Sequence, residues 1–475
     1  MVPVAEARSG VPALTRARSG RPVVGIVGLG YMGLASGLGF AAHGFTVLGY
    51  DVKPEIRESV RRGKAPYREP GLPELLRRQW RLGRFRVVDT LNELVEGAAC
   101  IFLCVPTPSG RGGRIDLRPM RRSVTEVGRA LRSVRGYRVV VVKSTVVPGT
   151  TEGTVAPALY RASGRRAREL GVASNPEFLA EGSMVEDAVR PERVVIGAID
   201  AKAVIWLKRL YRPFGAPVYH LTPAGAELVK YSSNAFLALK VSFANEVSRW
   251  SDRLGANVDE VMAAVGRDPR IGSRFLRAGP GFGGSCFDKD LRALACRGRE
   301  LGVRIRSAEA ALGINDDQLA YVLRFIRSAV GSLDGRRVAL LGLSFKAGTD
   351  DVRESRALPI AAFLVAQGAI VRGHDPVARA SFGAAWRRTP HSRRGRVELC
   401  RTVGEALRGA DAAVLQADWP EYLAWKRTWT KRMARPLLID LRRAVRPAVA
   451  KRAGLDVAGV GAGSLPRSAN GEVPT

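Results

Sequence analysis

Val23-Val24-Gly25-Ile26-Val27 runs directly into Gly28-Leu29-Gly30-Tyr31-Met32-Gly33. The first five residues are a short β-branched run of the kind that a parallel sheet buries on both faces. A helical pattern follows from Met32 to about His43, and a second strand, Thr46-Val47-Leu48-Gly49-Tyr50, ends at Asp51. Strand, glycine turn, helix, strand and acid, in that order, describe a dinucleotide-binding unit. Gly28 permits the tight turn, Gly30 admits a pyrophosphate to the backbone, and Gly33 lets helix and strand pack closely. Tyr31 and Met32 open the helix, whose positive end faces the phosphates. Asp51 is placed to accept hydrogen bonds from an adenosine ribose and to repel a 2′-phosphate, which favours NAD over NADP.

Outward from this unit the same alternation continues. Buried-strand candidates recur at Cys100–Val105, Arg138–Val142 and Val194–Ile196, so a doubly wound α/β domain is expected to about residue 210. From Ala226 to Arg253 there is no Gly or Pro and apolar residues recur at helical spacing, which predicts one long helix. A glycine-rich loop at 279–284 interrupts a helical middle region, and another helix is expected from about Ser307 to Val330. Strand pattern then restarts at Arg337–Leu343, with a second strand ending in an acid at Ala369–Asp375 and later strands at Ala412–Leu415 and Pro436–Asp440. The fold class expected is α/β, two Rossmann-like doubly wound domains joined by a long central helix and a helical connector. The boundaries expected are a flexible basic arm over 1–21, an NAD-binding domain over 22–212 and a central helical domain with the cysteine loop over 213–332, the part that the resemblance given below makes the dimerising one. A nucleotide-binding domain over 333–460 and a loose tail over 461–475 complete the chain.

At 475 residues the length suits about three domains. With 46% apolar and 25% charged residues, the chain is not a disordered polymer. Five cysteines are too few for a disulfide scaffold, and their spacing holds no zinc pair. The four histidines, His43, His220, His374 and His391, are scattered, so no metal is expected. No apolar run nears the ~20 residues that span a bilayer. The first 22 residues have arginines but no hydrophobic segment, so no signal peptide, no membrane partner and a cytoplasmic setting are expected. The net charge of +32 raises nucleic acid as a partner. Of the 76 basic residues 64 are arginines, spread along the chain without a tract of interleaved aromatics, so nucleic acid is not expected.

The loop Gly281-Phe282-Gly283-Gly284-Ser285-Cys286-Phe287-Asp288-Lys289-Asp290 carries the second chemical signal. A thiol after several glycines, with Lys289 and Asp290 just beyond, is suited to nucleophilic catalysis, because a nearby cation favours the thiolate. On these residues alone a buried structural cysteine remains the alternative, as assumed for Cys100, Cys104, Cys296 and Cys400.

The chain resembles the UDP-glucose/GDP-mannose dehydrogenase family, most closely its UDP-glucose 6-dehydrogenase branch. The matching blocks follow the family's order over nearly the whole length. They are the glycine loop with Tyr31, Glu69-Pro70-Gly71-Leu72, Val105-Pro106-Thr107-Pro108, Lys143-Ser144-Thr145-Val146-Val147-Pro148-Gly149-Thr150 and Asn175-Pro176-Glu177-Phe178-Leu179-Ala180-Glu181-Gly182. Glu227 through Lys230 to Asn234, Asn245-Glu246, Arg270-Ile271-Gly272, the cysteine loop, Leu343-Ser344-Phe345-Lys346 and Thr349 to Ser355 continue the match.

The resemblance implies that Cys286 is the nucleophile of a double oxidation of a sugar CH₂OH by two NAD⁺, through an aldehyde, a thiohemiacetal and a thioester that water opens. Lys230 and Asn234, four apart on one helix face, would hold the developing oxyanion. Asp290 and Thr145 resemble the family's water-holding pair, and Glu177 a residue implicated in thioester hydrolysis. Substrate contacts are implied for Phe178, Leu179, Ala180 and Glu181, for Phe275, Leu276, Arg277, Ala278 and Gly279, and for Gly283 and Lys346. Lys230 and Asn234 belong to that set as well. Arg270 resembles an arginine that reaches across a dimer, and Arg442 one on the nucleotide sugar. Thr107, Thr145, Glu181, Lys289 and Arg353 match NAD contacts. Two positions depart from the pattern: Ile56 stands where the family often has a basic residue, and Arg356 where it has proline.

The function expected is therefore NAD-dependent oxidation of UDP-glucose to UDP-glucuronate by a homodimer or higher homo-oligomer. Pro191-Glu192-Arg193-Val194-Val195-Ile196-Gly197 favours that branch over GDP-mannose. GDP-mannose or another UDP-hexose is the alternative substrate; the Gly-Gly-Ser-Cys loop speaks against an N-acetylated one. An alternative of another class is a basic polyanion-binding protein on an inactive scaffold, which predicts salt-sensitive binding and no NADH.

Overall fold

The computed structural model describes residues 20–463 apart from 394 and 396. The arm expected over 1–21 and the tail expected over 461–475 thus lie outside the described residues, except for residues 20–21 and 461–463. The described chain divides into two compact units after Tyr231.

The first unit is built on eight strands. They are β1 (Val24–Val27), β2 (Val47–Tyr50), β3 (Phe85–Val87), β4 (Cys100–Leu103), β5 (Arg138–Val142), β6 (Leu170–Ser174), β7 (Val194–Ala198) and β8 (Val218–Leu221). Their order across the sheet is β3-β2-β1-β4-β5-β6-β7-β8. Neighbours are parallel except β6 and β7, where Ala173 faces Ala198 in an antiparallel pair. Val24 sits opposite Val47 on one side and Cys100 on the other, so the chain reverses its winding direction at β1. Alternate residues of the inner strands enter different cores. Ile26, Phe102 and Val141 pack with Leu34, Leu38 and Phe40 of the Tyr31–Ala42 helix. Val27, Leu103 and Val140 pack on the other face with Val124, Val127 and Leu159. Two covered faces explain why these strands read as unbroken apolar runs. The sheet extends past residue 210 to β8, an edge strand whose residues are largely exposed and give no strand pattern.

The Pro223–Leu254 helix carries the chain across the division. In the second unit the helices Val258–Gly266, Phe287–Glu300 and Arg306–Val330 precede a second sheet. Its strands are β9 (Arg337–Leu341), β10 (Ile370–His374), β11 (Val397–Leu399), β12 (Ala412–Leu415), β13 (Leu437–Asp440) and β14 (Asp456–Gly459). All are parallel, in the order β11-β10-β9-β12-β13-β14, again doubly wound. The protein is thus α/β with two sheets and long helices between them in sequence, as the strand pattern implied. Among the described residues no helix is long and apolar enough to cross a membrane.

Candidate active site

In the first unit the glycine loop joins β1 to the Tyr31–Ala42 helix. Gly28 has φ +98°, and a side chain there would strike the carbonyl of Cys104. A side chain at Gly33 would meet the Gly28 carbonyl. Gly30 differs: a Cβ there would meet no protein atom within 4 Å and its φ is −71°. Neither backbone conformation nor internal packing demands glycine at that helix N-cap. The room it leaves suits a pyrophosphate, so these residues fit the cofactor that the motif implies. Tyr31 stacks on Tyr67 at 3.9 Å between ring centroids, and the Tyr67 hydroxyl donates to the Tyr31 carbonyl at 2.8 Å. Met32 packs beside Met184 and Leu179.

Asp51 closes β2 with its carboxylate accepting the amides of Leu29 (2.8 Å) and Lys53 (2.9 Å). Arg57, not singled out as a site residue, donates to the Asp51 carbonyl at 2.7 Å, while Ile56 turns into the apolar core. A carboxylate at the end of β2 sets a specific expectation. A phosphate placed about 4 Å from Asp51 loses about 4 kcal/mol at an effective dielectric of about 20, so kcat/KM should favour NAD⁺ over NADP⁺ by at least about a hundredfold. Asp51→Ser should narrow that ratio, because Lys53 and Arg57 remain. Equal kcat/KM values for the two cofactors in the unmodified enzyme contradict the assignment of Asp51.

Thr107 follows β4 and Thr145 follows β5, and the Thr107 hydroxyl donates to the Thr145 carbonyl at 2.9 Å. Next to Thr145, Lys143 is buried with its ammonium 2.9 Å from the Asn175 amide oxygen, and burial pulls its pKa down to about 8. The Glu177 carboxylate pairs with Lys230 at 3.1 Å and accepts the Leu179 amide at 2.6 Å, both side chains being buried. The Lys230 ammonium lies 5.6 Å from the centre of the Phe178 ring. The Phe178–Glu181 stretch is held from outside: Ala180 donates to Asp187 at 2.9 Å, and Gly182 and Met184 donate to Glu69 at 2.9 and 2.8 Å. Thus Glu177, Phe178 and Lys230 meet in this unit, and Thr107 meets Thr145.

Glu227 is buried in the same unit, where desolvation pushes its pKa from 4.5 up to about 7 against the pull of its hydrogen bonds. A carboxyl with a raised folded-state pKa stabilises the fold below its unfolded value, and that stability is lost as pH rises through the folded value. Unfolding free energy should therefore fall by about 3 kcal/mol between pH 4.5 and 7 on account of this group. Glu227→Gln should flatten that part of the urea-denaturation profile; an unchanged slope refutes it.

In the second unit Cys286 is the N-cap residue of the Phe287–Glu300 helix and is exposed. Its carbonyl accepts the Asp290 amide at 2.8 Å, and the Ser285 hydroxyl lies 3.7 Å from its sulfur. A helix N-terminus favours the thiolate. Of the other four thiols three are buried and Cys104 is half-buried, and burial pushes Cys100 and Cys104 up to about 12. Asp290 is buried and gathers two of the expected residues: the Asn234 amide donates to it at 2.6 Å and Lys289 pairs with it at 2.5 Å.

The loop before Cys286 is pinned by residues that sequence reasoning did not assign. Gly279 donates to Asn245 at 2.8 Å and accepts from Gln318 at 2.8 Å. Asn315 grips Phe282 by both amide and carbonyl, at 2.8 and 3.2 Å. A side chain at Gly283 would strike the Glu354 carbonyl. Asn315 and Gln318 are buried polar residues on one face of the Arg306–Val330 helix, and that burial pattern is the only trace they leave in sequence. Within Phe275–Gly279, Leu276 and Ala278 are buried in an apolar cluster with Val258 and Met262, so they present backbone rather than side chain. Phe275 has φ +66° and is exposed. Arg277 pairs with Asp418 at 3.1 Å, and Lys346 lies 5.6 Å from the centre of the Phe345 ring. Arg442 donates to the carbonyls of Gln416 (2.6 Å) and Phe345 (3.0 Å). Arg270 and Arg353 hold Asp268 and Asp351 in two-point pairs with their side chains largely exposed. Glu181 is half-buried.

Three stretches match, in order, the NAD binding domain (residues 23–215), central domain (224–317) and UDP binding domain (339–447) of the UDP-glucose/GDP-mannose dehydrogenase family. The UDP-glucose 6-dehydrogenase AglM of Haloferax volcanii is 39% identical over 437 residues, which span 91% of this chain and 98% of that one. The chain belongs to this family. It is accordingly an NAD-dependent oxidoreductase of nucleotide sugars. A solved UDP-glucose dehydrogenase from Pyrobaculum islandicum superposes with a TM-score of 0.85 at 39% identity, over 92% of this chain and 97% of that one. A GDP-mannose 6-dehydrogenase of Pseudomonas aeruginosa is 37% identical over 355 residues, 74% of this chain and 80% of that one.

Proposed function

We propose that this enzyme oxidises the C6 hydroxymethyl group of UDP-glucose to the carboxylate, with Cys286 carrying the sugar between the two oxidations. The observation that carries the reading is the thiol itself, exposed at a helix N-terminus with the Asn234–Asp290–Lys289 cluster one turn further on. NAD⁺, held by the Gly28–Gly33 loop and Asp51, supplies a two-electron oxidant at each oxidation. The chain's residues do the rest. Lys230 and Asn234 donate to the substrate oxygen as charge builds on it, while at each oxidation the hydroxyl proton passes to water and the hydride to the nicotinamide. The Cys286 thiolate forms a C–S bond to the aldehyde carbon, and the carbonyl oxygen takes up a proton. Once the second oxidation restores the C=O bond, Asp290 takes a proton from water as it adds to the thioester. The C–S bond then breaks and the thiolate leaves.

UDP-glucose as substrate is supported by the two relatives at 39% identity, both described as acting on it, each aligned over more of this chain than the GDP-mannose enzyme. Assay of NADH release with UDP-glucose, GDP-mannose and N-acetylated UDP-hexoses tests the choice. Turnover of UDP-glucose should yield two NADH per sugar consumed. A ratio of one with free aldehyde accumulating sinks the covalent mechanism, and a higher kcat/KM for GDP-mannose sinks the substrate. No NADH from any of them leaves the polyanion-binding reading.

A further inference from the structure

Glu227 is a buried carboxylate to which the reaction assigns nothing. It stands on the Pro223–Leu254 helix three positions before Lys230, and the groups that act most strongly on its carboxyl, after burial itself, are the hydroxyl and amide of Thr151 and the amides of Gly149 and Thr150 rather than a cation. Burying a carboxylate without a cation is unfavourable unless hydrogen bonds replace its water. Here they do. One oxygen accepts the Gly149 amide at 2.6 Å, and the other accepts both the amide (2.9 Å) and the hydroxyl (2.6 Å) of Thr151. An ionised carboxylate accepts at both oxygens, whereas Gln at the same place would turn an NH₂ donor towards an N–H donor.

The donors lie at the far end of the loop that begins with Lys143 and carries Thr145. At its near end Ser144 donates to the Val105 carbonyl at 2.6 Å, and the Thr145 carbonyl receives the Thr107 hydroxyl. The loop is therefore tied at one end to the segment after β4 and at the other to the helix that bears Lys230. We propose that Glu227 is a positioning residue of the oxidation, a clamp that fixes the Thr145 loop against the Lys230 helix. It touches neither sugar nor cofactor and acts through Gly149 and Thr151. The inference rests on the reading that Thr145 and Lys230 serve this reaction.

The test compares Glu227→Ala and Glu227→Gln with the unmodified enzyme, using UDP-glucose and NAD⁺, at temperatures where melting curves show each protein folded. Displaced catalytic groups lower kcat with little change in ground-state binding. The expected result is a kcat lower by about tenfold or more in Glu227→Ala, an intermediate kcat in Glu227→Gln, and a UDP-glucose KM within about twofold throughout. A purely structural role shifts the melting temperature but leaves the kcat of each folded variant at the unmodified enzyme's value, with no graded order, and that outcome overturns the clamp. If Glu227→Ala does not fold, Thr151→Val removes one hydroxyl bond and keeps the backbone donor. Its kcat should fall severalfold, and a wild-type kcat overturns the proposal. Failure of the unmodified enzyme to turn over any nucleotide sugar counts instead against the function on which the clamp rests.

Discussion

Cys286→Ser should abolish formation of the sugar acid, lowering its rate by on the order of 10³-fold or more, while the first oxidation still proceeds. The hydroxyl of serine is ionised far less than a thiol near neutral pH, so it adds poorly to the aldehyde, and any ester it forms hydrolyses differently from a thioester. No other thiol is placed to compensate. Cys100 and Cys104 are pushed up to about 12 by burial, and Cys296 and Cys400 are buried. The substitution should leave the fold intact, since Cys286 is exposed and its loop is held by Asn245, Asn315 and Gln318. Rapid-quench analysis of bound sugar should show aldehyde with about one NADH formed per sugar, and melting curves should match the unmodified protein. Acid production at a near-wild-type rate places the nucleophile elsewhere.

What could be read before the structure depended on how local each signal is. The strands β1, β4 and β5 were legible because both faces are covered and their residues, Arg138 at the start of β5 apart, are apolar or glycine. By contrast β3 is three residues long, β6 contains small residues, and β8 is exposed, so none of them carries a pattern. Gly28, Gly30, Gly33 and Asp51 stand out because their spacing falls within one short strand-turn-helix-strand segment, although the Cys104 carbonyl on which Gly28 packs does not. Asp375 shows how far such a signal reaches. It closes the second strand of the second sheet as Asp51 does in the first, yet its carboxylate is already taken by the amides of Leu343, Ser344, Val377 and Ala378 and the indole of Trp419. The acid at the strand's end is thus consumed internally, and the loop beside it, Gly342-Leu343-Ser344-Phe345-Lys346, lacks the second and third glycines of the first unit. Glu69, Asn315, Gln318 and Glu227 were not assigned roles because their partners are backbone groups of loops far away in sequence. A side chain's type does not name a distant amide. Whether Cys286 is exposed or packed was likewise not readable from a count of glycines or neighbouring charges.

Lys230→Met should slow both oxidations by about 10²–10³-fold, the usual loss on removing one oxyanion donor, but its reading requires a second substitution. The Lys230 ammonium is paired at 3.1 Å with Glu177, and both side chains are almost completely buried. Removing one member of a buried pair leaves an uncompensated charge and typically destabilises by about 3–5 kcal/mol, so lost activity in the single variant mixes lost catalysis with lost fold. Glu177→Gln in the same chain removes the stranded charge. Its amide still offers an oxygen to the Leu179 amide, which Glu177 holds at 2.6 Å. The double variant should therefore recover most of the stability, because replacing both partners of a buried pair by neutral groups of similar size is close to neutral. Its first-oxidation NADH burst should stay slow, because the donor to the developing oxyanion is still missing; that burst precedes thioester hydrolysis, so the loss of Glu177 does not account for it. Urea denaturation and single-turnover NADH bursts on the same preparations separate the two quantities. Recovery of the burst rate together with stability makes Lys230 a structural partner of Glu177 and removes it from the chemistry. A slow burst in a stable protein keeps it there, and sets it apart in kind from Cys286→Ser: the first oxidation is not spared, and no aldehyde accumulates.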